Sequence, residues 1–266
     1  HNPPRSTEQL EEEVDGLIAD AVRDRLVADV PLGAFLSGGL DSSLITAYMR
    51  REAGDVRTFA IGFEEGSFNE LGFARQVADV LETQHEEHTV TYDVRDLVPD
   101  LLDHFGEPFA DSSAIPYFHL SRMTRSNVTV ALSGDGGDEV FGGYRRYTAS
   151  LWARQYQRWT PAGLRRAVDR LALSLREPSV YYGHSVRKRL RRFLEFSAAL
   201  EEDPSSSWAF FLLEGEKRAL YSAAFSEALD SCPGEERHPA LPGADLMQID
   251  QATYLPDDIL VKVDRT

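Results

Sequence analysis

The amino-acid sequence predicts an α/β protein: a doubly wound parallel sheet of about five strands over residues 1–147, with a mostly helical C-terminal extension over 148–266. Three observations carry this expectation. Short apolar runs alternate with helical patterns through the first half, which is the spacing of βαβ units. After about Tyr147 the strand-like runs stop while helical periodicity continues. Glycine- and hydroxyl-rich turns fall where strands hand over to helices, the place where open parallel sheets bind ligands.

Leu10, Val14, Leu17, Ile18, Ala21, Val22 and Leu26 recur at helical spacing, with Ser6 and Thr7 as capping candidates. Residues 33–36 read as a buried strand, 41–51 as a helix, 57–63 as a second strand and 69–81 as a second helix. Strand-like residues 87–90 follow, then helices at 94–105 and 114–124, and a last strand at 128–133. Helical stretches at 151–159, 164–175, 185–196 and 208–221 fill the second half, and 231–243, with three prolines, reads as a loop. Residues 256–266 open a helix whose Asp257 and Asp258 suit its positive end and which runs about two turns. With no Met at the start, the chain reads as an excised piece.

Composition narrows the function. The chain has 266 residues and a net charge of -16, so its average potential repels phosphate backbones and anionic lipid, and neither nucleic acid nor a membrane is expected as a partner. No apolar run approaches the roughly 20 residues that cross a bilayer. Cys232 is the only cysteine, so no internal disulfide can form and a reducing, cytoplasmic setting is the simplest reading. No neighbouring His activates it, which leaves a bland loop thiol. Only Lys188, Lys217 and Lys262 are lysines.

The sharpest feature is Ser37-Gly38-Gly39-Leu40-Asp41-Ser42-Ser43, between a strand and a helix. Two glycines let backbone N–H groups approach a ligand, three hydroxyls add donors, and the helix N-terminus favours an anion. Together they form a phosphate cradle. A plain glycine turn with an ordinary cap is the blander reading, and three hydroxyls with a carboxylate in one turn outweigh it.

A second glycine-rich, acidic loop, Ser133-Gly134-Asp135-Gly136-Gly137-Asp138-Glu139, follows the last strand. Loops at the carboxyl ends of parallel strands share one rim, so the two can face each other. Their carboxylates would repel a triphosphate unless a cation intervened, and Mg2+ takes one or two carboxylates plus substrate phosphates. Asp41 and Asp138 are the candidate ligands; an acidic N-terminal cap is the plainer account of Asp138 and Glu139. The lysine-bearing phosphate loop of ATPases and GTPases, the dinucleotide fingerprint and the Gly-x-Ser-x-Gly elbow are all missing.

Three other features take the bland reading. His85 and His88 fall on alternate faces of a strand, which separates them as metal ligands. Residues 187–192 form a basic run suited to a solvated helix face. Asn127-Val128-Thr129 fits a glycosylation sequon but opens a buried strand.

The first loop resembles the PP-loop of N-type ATP pyrophosphatases. With Phe59-Ala60-Ile61-Gly62-Phe63, Glu107-Pro108-Phe109-Ala110-Asp111-Ser112-Ser113, residues 132–144 and residues 254–265, the chain is similar to the synthetase domain of glutamine-hydrolysing asparagine synthetases. The resemblance implies that Leu36 and Ile61 flank the adenine or ribose through backbone groups. It implies that Ser37, Gly38, Gly39, Ser42 and Ser43 hold the pyrophosphate, and that Ser133 and Gly134 border the α-phosphate. By the same carry-over Asp41 and Asp138 support Mg2+, and Asp135 lies near the acyl-adenylate where many members carry Glu. Asp111, Ser112 and Ser113 line the amino-acid side.

The implied activity is ATP-dependent adenylation of aspartate followed by ammonia attack, giving asparagine, AMP and pyrophosphate. Asp135 and Asp41 are the expected catalytic residues, ATP and Mg2+ the cofactors, and aspartate and ammonia the other small molecules. The family also has an N-terminal glutaminase domain and C-terminal helices with a catalytic Lys, so this chain is expected to be inactive alone. A homodimer is one assembly open to it. Two alternatives remain: a related amidotransferase with another acyl donor, of β-lactam synthetase or polymer-modifying type, and a non-catalytic nucleotide-binding module.

Overall fold

The computed structural model describes residues 5–63, 69–90, 94–161, 163–165, 168, 190, 193–198, 218–231 and 245–266. They belong to two compact units, His1–Gly137 with Asp258–Thr266, and Asp138–Asp257. Most of the stretches 164–175, 185–196 and 208–221, the basic run apart from Leu190, and Cys232 with nearly all of the proline-rich loop lie outside the described residues.

The first unit is built on strands β1 (Leu32–Phe35), β2 (Arg57–Phe63), β3 (Gln84–Val90) and β4 (Val130–Leu132), all parallel in the order β3-β2-β1-β4. The described residues thus hold four strands where about five were expected. β1 is central, with Ala34 opposite Thr58 of β2 and Leu132 of β4. Thr58, Phe59 and Ala60 are buried in succession, the signature of a strand covered on both faces.

Side-chain alternation assigns the helices to the faces. Ala34 packs with α1 (Thr7–Arg25) and α2 (Leu40–Ala53) through Ala19, Val22, Tyr48 and Met49. Leu36 and Ala60, on the same face, pack with Ala74 and Ala78 of α3 (Leu71–Leu81). Phe35 points the other way, edge-on to Tyr117 of α5 (Ala114–Thr124) with ring centroids 5.5 Å apart. Helix α4 (Val94–Phe105) packs beside α5. The sheet is therefore wound on both sides.

Local chemistry fixes the helix ends. Ser6 caps α1 in a reciprocal box: its Oγ accepts from Gln9 N at 3.3 Å while Ser6 N donates to Gln9 Oε1 at 3.0 Å. Of the apolar face expected on α1, Ala19 and Val22 are buried and Ile18 and Leu26 partly so, whereas Leu10, Val14 and Leu17 are exposed. Helical spacing tells which residues share a face, not how much of the helix meets a partner. β3 begins three residues earlier than expected, and β4 is shorter.

The second unit includes α6 (Gly137–Phe141, entered from the first unit), α7 (Arg145–Trp159), α8 (Ala223–Ser231) and α9 (Leu246–Ala252), with further helical residues at 163–165, 193–198 and 218–220. Ala153, Phe196 and Leu246 form a small core with Tyr147 and Phe193. The Arg146 guanidinium meets the fully buried Asp250 at 2.8 Å and lies 3.9 Å from the Tyr144 ring centroid. A π-helical turn, Leu255–Ile259, leads back into α10 (Leu260–Arg265) in the first unit. No described helix is long and apolar enough to cross a membrane.

Met49→Ala, in the α1–α2 core, is expected to lower unfolding free energy by about 2–5 kcal/mol, and Leu17→Ala on exposed α1 by less than about 0.5 kcal/mol. Urea denaturation followed by circular dichroism checks the contrast.

Candidate functional site

The 37–43 loop joins β1 to α2 and is tied by its own hydroxyls. Ser37 and Ser42 share a hydrogen bond of 3.0 Å between their Oγ atoms, Ser42 Oγ accepts from Ser37 N at 3.2 Å, and Ser37 Oγ accepts from Gly39 N at 3.2 Å. Gly38 has φ +80°, and a Cβ there would come 2.5 Å from the Phe73 carbonyl carbon, so only glycine fits. Gly39 occupies the N-cap of α2 with no side chain capping the helix. Ser43 Oγ is buried and has no hydrogen-bond partner among the described residues. An uncapped helix start beside a buried, unsatisfied hydroxyl suits an anionic ligand.

The second loop lies against this turn. A Cβ on Gly134 would meet Ser42 N at 2.6 Å, and one on Gly137 would meet Asp41 Cγ at 2.7 Å. The two loops therefore touch backbone to backbone, with the half-buried Asp41 carboxylate against Gly137. Tyr117 donates a hydrogen bond to Asp135 Oδ2, and Asp135 N donates to Ser133 Oγ at 3.4 Å. Burial first, and then the Asp135 carboxylate, push the Tyr117 hydroxyl well above the ordinary phenol range.

Asp111, Ser112 and Ser113 precede α5, where the turn is folded on itself. Asp111 accepts from Ser113 N at 2.8 Å and from Ser113 Oγ at 2.5 Å. Lys262 of α10, buried at 3% exposure, donates to Asp111 Oδ2 at 2.9 Å and to Ser113 Oγ at 2.7 Å. Its Nζ stands 5.3 Å from the Tyr117 ring centroid. Burial alone would raise the Asp111 carboxyl, but the Ser113 and Lys262 hydrogen bonds outweigh it and hold the group below the usual carboxylate range. Ser112 lines a mainly apolar cavity of about 160 Å³ with Leu101, Phe105, Phe109 and Ile115.

Not every expected residue presents a side chain to this site. Leu36 is 1% exposed in the core and its N–H donates to Phe59 O at 2.9 Å, so only its carbonyl is available. Ile61 is half-buried in β2, opposite His88 of β3. Asp138 opens the second unit, next in sequence to Gly137. Its neighbour Glu139 is buried, accepts from Tyr144 Oη at 2.6 Å and offers its carbonyl to Gln251 Nε2 at 2.8 Å, so it braces α6.

His85 and His88 are separated. His85 Nδ1 lies 2.9 Å from Thr58 Oγ1 on the α3 face, and burial pushes its pKa down. His88 lines an open pocket of about 460 Å³ with His119 and Arg122 on the other face. Among the described residues no group of three or more His, Cys, Asp or Glu side chains could hold a metal.

Sequence reading sets Lys262 aside as a residue of the 260–265 helix and does not single out Tyr117; the structure brings both to the Asp111–Asp135 region. A signal existed for the first: one of only three lysines, flanked by Val261 and Val263 on a short apolar helix. Tyr117 carried none, because one aromatic in an amphipathic helix is ordinary core.

A parallel sheet whose first strand passes through an uncapped glycine–serine turn into a helix defines an α/β domain suited to a phosphate-bearing ligand. A family model described as asparagine synthase matches residues 13–266, and the chain belongs to that family. Asparagine synthetase (glutamine-hydrolyzing) 1 of Bacillus subtilis is 36% identical over 177 residues, covering 65% of this chain and 28% of that protein. A Methanocaldococcus jannaschii protein assigned to asparagine synthetase (glutamine-hydrolyzing) is 45% identical over 150 residues, 54% of this chain and 28% of its own length. A Mycobacterium tuberculosis H37Rv protein with the same assignment is 32% identical over 267 aligned residues, 96% of this chain and 38% of its own. The chain thus spans well under half the length of these curated relatives.

The Asp111 carboxyl is lowered in the folded state, so its contribution to stability is present above the unfolded value and lost as pH falls through the folded one. Asp111→Asn is expected to cost about 3 kcal/mol at pH 7, the loss when a buried pair keeps only one partner. The gap to wild type should close as pH drops below about 4. Urea titrations at pH 7, 5 and 3 measure it.

Proposed function

We propose that the chain is the ATP-using part of a carbon–nitrogen ligase that activates a carboxylate as its adenylate, with aspartate as acyl donor and ammonia as nucleophile. The observation that carries this reading is the close approach of Gly134 and Gly137 to the first turn of α2, which joins a phosphate cradle to the loop bearing Asp135. Family membership supports it, and so does the naming of the relatives as asparagine synthetases.

In this scheme a carboxylate oxygen of aspartate attacks the α-phosphorus of ATP, the α–β phosphoanhydride bond breaks and pyrophosphate leaves. Ammonia then attacks the acyl carbon, AMP departs, and a proton passes to solvent. Ser37, Ser42, Ser43 and the glycine backbone hold the phosphates, and the α2 N-terminus favours their charge. Leu36 and Ile61 border the base or ribose through main-chain groups, while Ser133 and Gly134 border the α-phosphate. Asp135, held by Tyr117, is assigned to the acyl-adenylate, and the Asp111–Ser113 turn to the amino-acid side.

The unsatisfied Ser43 hydroxyl and the side-chain-free approach at Gly134 and Gly137 fit a magnesium nucleotide. Asp41 is the assigned ligand within the first unit, and one protein carboxylate suffices where substrate phosphates and water complete the shell. Mg2+ would neutralise phosphate charge and stabilise the leaving pyrophosphate. The chain's own groups supply alignment, and no covalent enzyme intermediate is required. In the whole protein a glutaminase domain would supply the ammonia, a reading that the glutamine-hydrolyzing names of the relatives support.

Isothermal titration with Mg-ATP and with AMP tests the cradle. Asp41→Asn should weaken Mg-ATP binding about tenfold or more and AMP binding less than about threefold, since only the former carries the metal. Equal loss for both removes Asp41 as a ligand.

A second measurement, pyrophosphate release from the full-length enzyme supplied with candidate acids, tests the donor. Release with aspartate is expected; release with another acid and none with aspartate overturns that assignment.

A further inference from the structure

We propose that Lys262 is a positioning residue that sets the Asp135 carboxylate through Tyr117, making α10 part of the acyl-donor side of the site. The role given to Asp135 rests on the function proposed above; the mechanical coupling does not.

The contacts are contiguous and lie within one unit. Lys262 spends two of its three ammonium donors on Asp111 and Ser113, the turn that opens α5. Tyr117 lies on the first turn of the same helix, beneath the ammonium, with its ring also fixed edge-on by Phe35. Its hydroxyl reaches Asp135, and the loop around Asp135 lies on Asp41 and Ser42. Helix α10 is itself anchored by Arg265, whose Nη1 donates to Phe105 O at 2.6 Å.

Burial of an ammonium is costly unless it is paired and directed. A helix anchored only by packing would be served as well by Leu or Met at this position. What charge adds is direction: one ammonium fixes both the Asp111–Ser113 turn and the face of Tyr117. With its ring held on two sides, Tyr117 presents the hydroxyl at one place, so Asp135 has a fixed donor before any ligand arrives. Such preorganisation is what a site needs to hold an acyl group in line with a phosphate.

Hydrogen exchange by mass spectrometry on the resting full chain, without ligand, tests the coupling. Lys262→Met, similar in volume, and Tyr117→Phe, which removes one hydroxyl, should each speed exchange of amides 133–137 by about fivefold or more while residues 84–90 of β3 keep the wild-type rate. Unchanged exchange at 133–137 in Tyr117→Phe overturns the proposal, as does faster exchange throughout the unit in both variants, which makes Lys262 a general anchor.

Steady-state pyrophosphate release by the full-length enzyme is the second readout. Tyr117→Phe should lower kcat about tenfold with the KM for ATP within about twofold, and the double variant should be no slower than the worse single one. Loss that appears as a raised ATP KM with kcat intact overturns the positioning role. A wild-type enzyme that releases no pyrophosphate with any acid defeats the proposed function instead, and the exchange experiment still decides the coupling.

Discussion

The close approach of two backbones governs the rest of this structure. A Cβ at Gly134 would strike the Ser42 and Asp41 backbone, so the turn after β4 can lie on the start of α2 only if that position lacks a side chain, while at Gly137 the neighbour is the Asp41 carboxylate. Sheet order makes the approach possible: β1 and β4 are neighbours and parallel, so the loops leaving their carboxyl ends emerge side by side. Their meeting puts the uncapped start of α2 and the Asp41 carboxylate against the glycine-rich turn that carries Asp135, with the buried Ser43 hydroxyl next along the helix. The strands supply position, and the glycines supply access.

Helix α5 organises the remainder. The Asp111–Ser113 turn with its carboxylate and hydroxyl leads into it, Tyr117 stands on its first turn, and its inner face covers Phe35 of β1. A single rigid element therefore carries both the turn assigned to the amino-acid side and the donor that holds Asp135. In the second unit an analogous economy operates around Arg146, where one guanidinium meets Asp250 and the rings of Tyr144, Tyr147 and Tyr254. That cluster keeps α7 and α9 together while Glu139, taken up by Tyr144, fixes the short helix that begins beside it.

Much of the first unit was legible in sequence because its signals are local. Alternation of apolar runs marked β1 and β2, helical spacing placed α4 and α5 at their observed bounds, and the doubled glycines marked both loops before any contact was known. Separation of His85 from His88 followed from strand alternation alone. The rest depended on contacts distant in sequence. Lys262 is read as an ordinary helix residue until the fold brings it to Asp111, and the exposure of Leu10 and Leu17 depends on how far α2 runs beside α1. Ser37 and Ser42 were expected as ligand donors; their mutual hydrogen bonds give them a prior task, shaping the loop that presents Ser43 and the backbone.

The return of Asp258–Thr266 to the first unit has a consequence for biosynthesis. The ion pair between Lys262 and Asp111 joins positions 151 residues apart. A ribosome emits the sheet and α5 long before it emits the lysine, so Asp111 spends that interval without its counter-charge. The nascent sheet can settle early through neighbouring strands and helices, but the turn ahead of α5 acquires its final order only when the late segment docks. Ordering of this turn is in this sense deferred until the later segment has been made, and nascent chains arrested between α9 and α10 would carry a folded sheet with the turn ahead of α5 still unpaired.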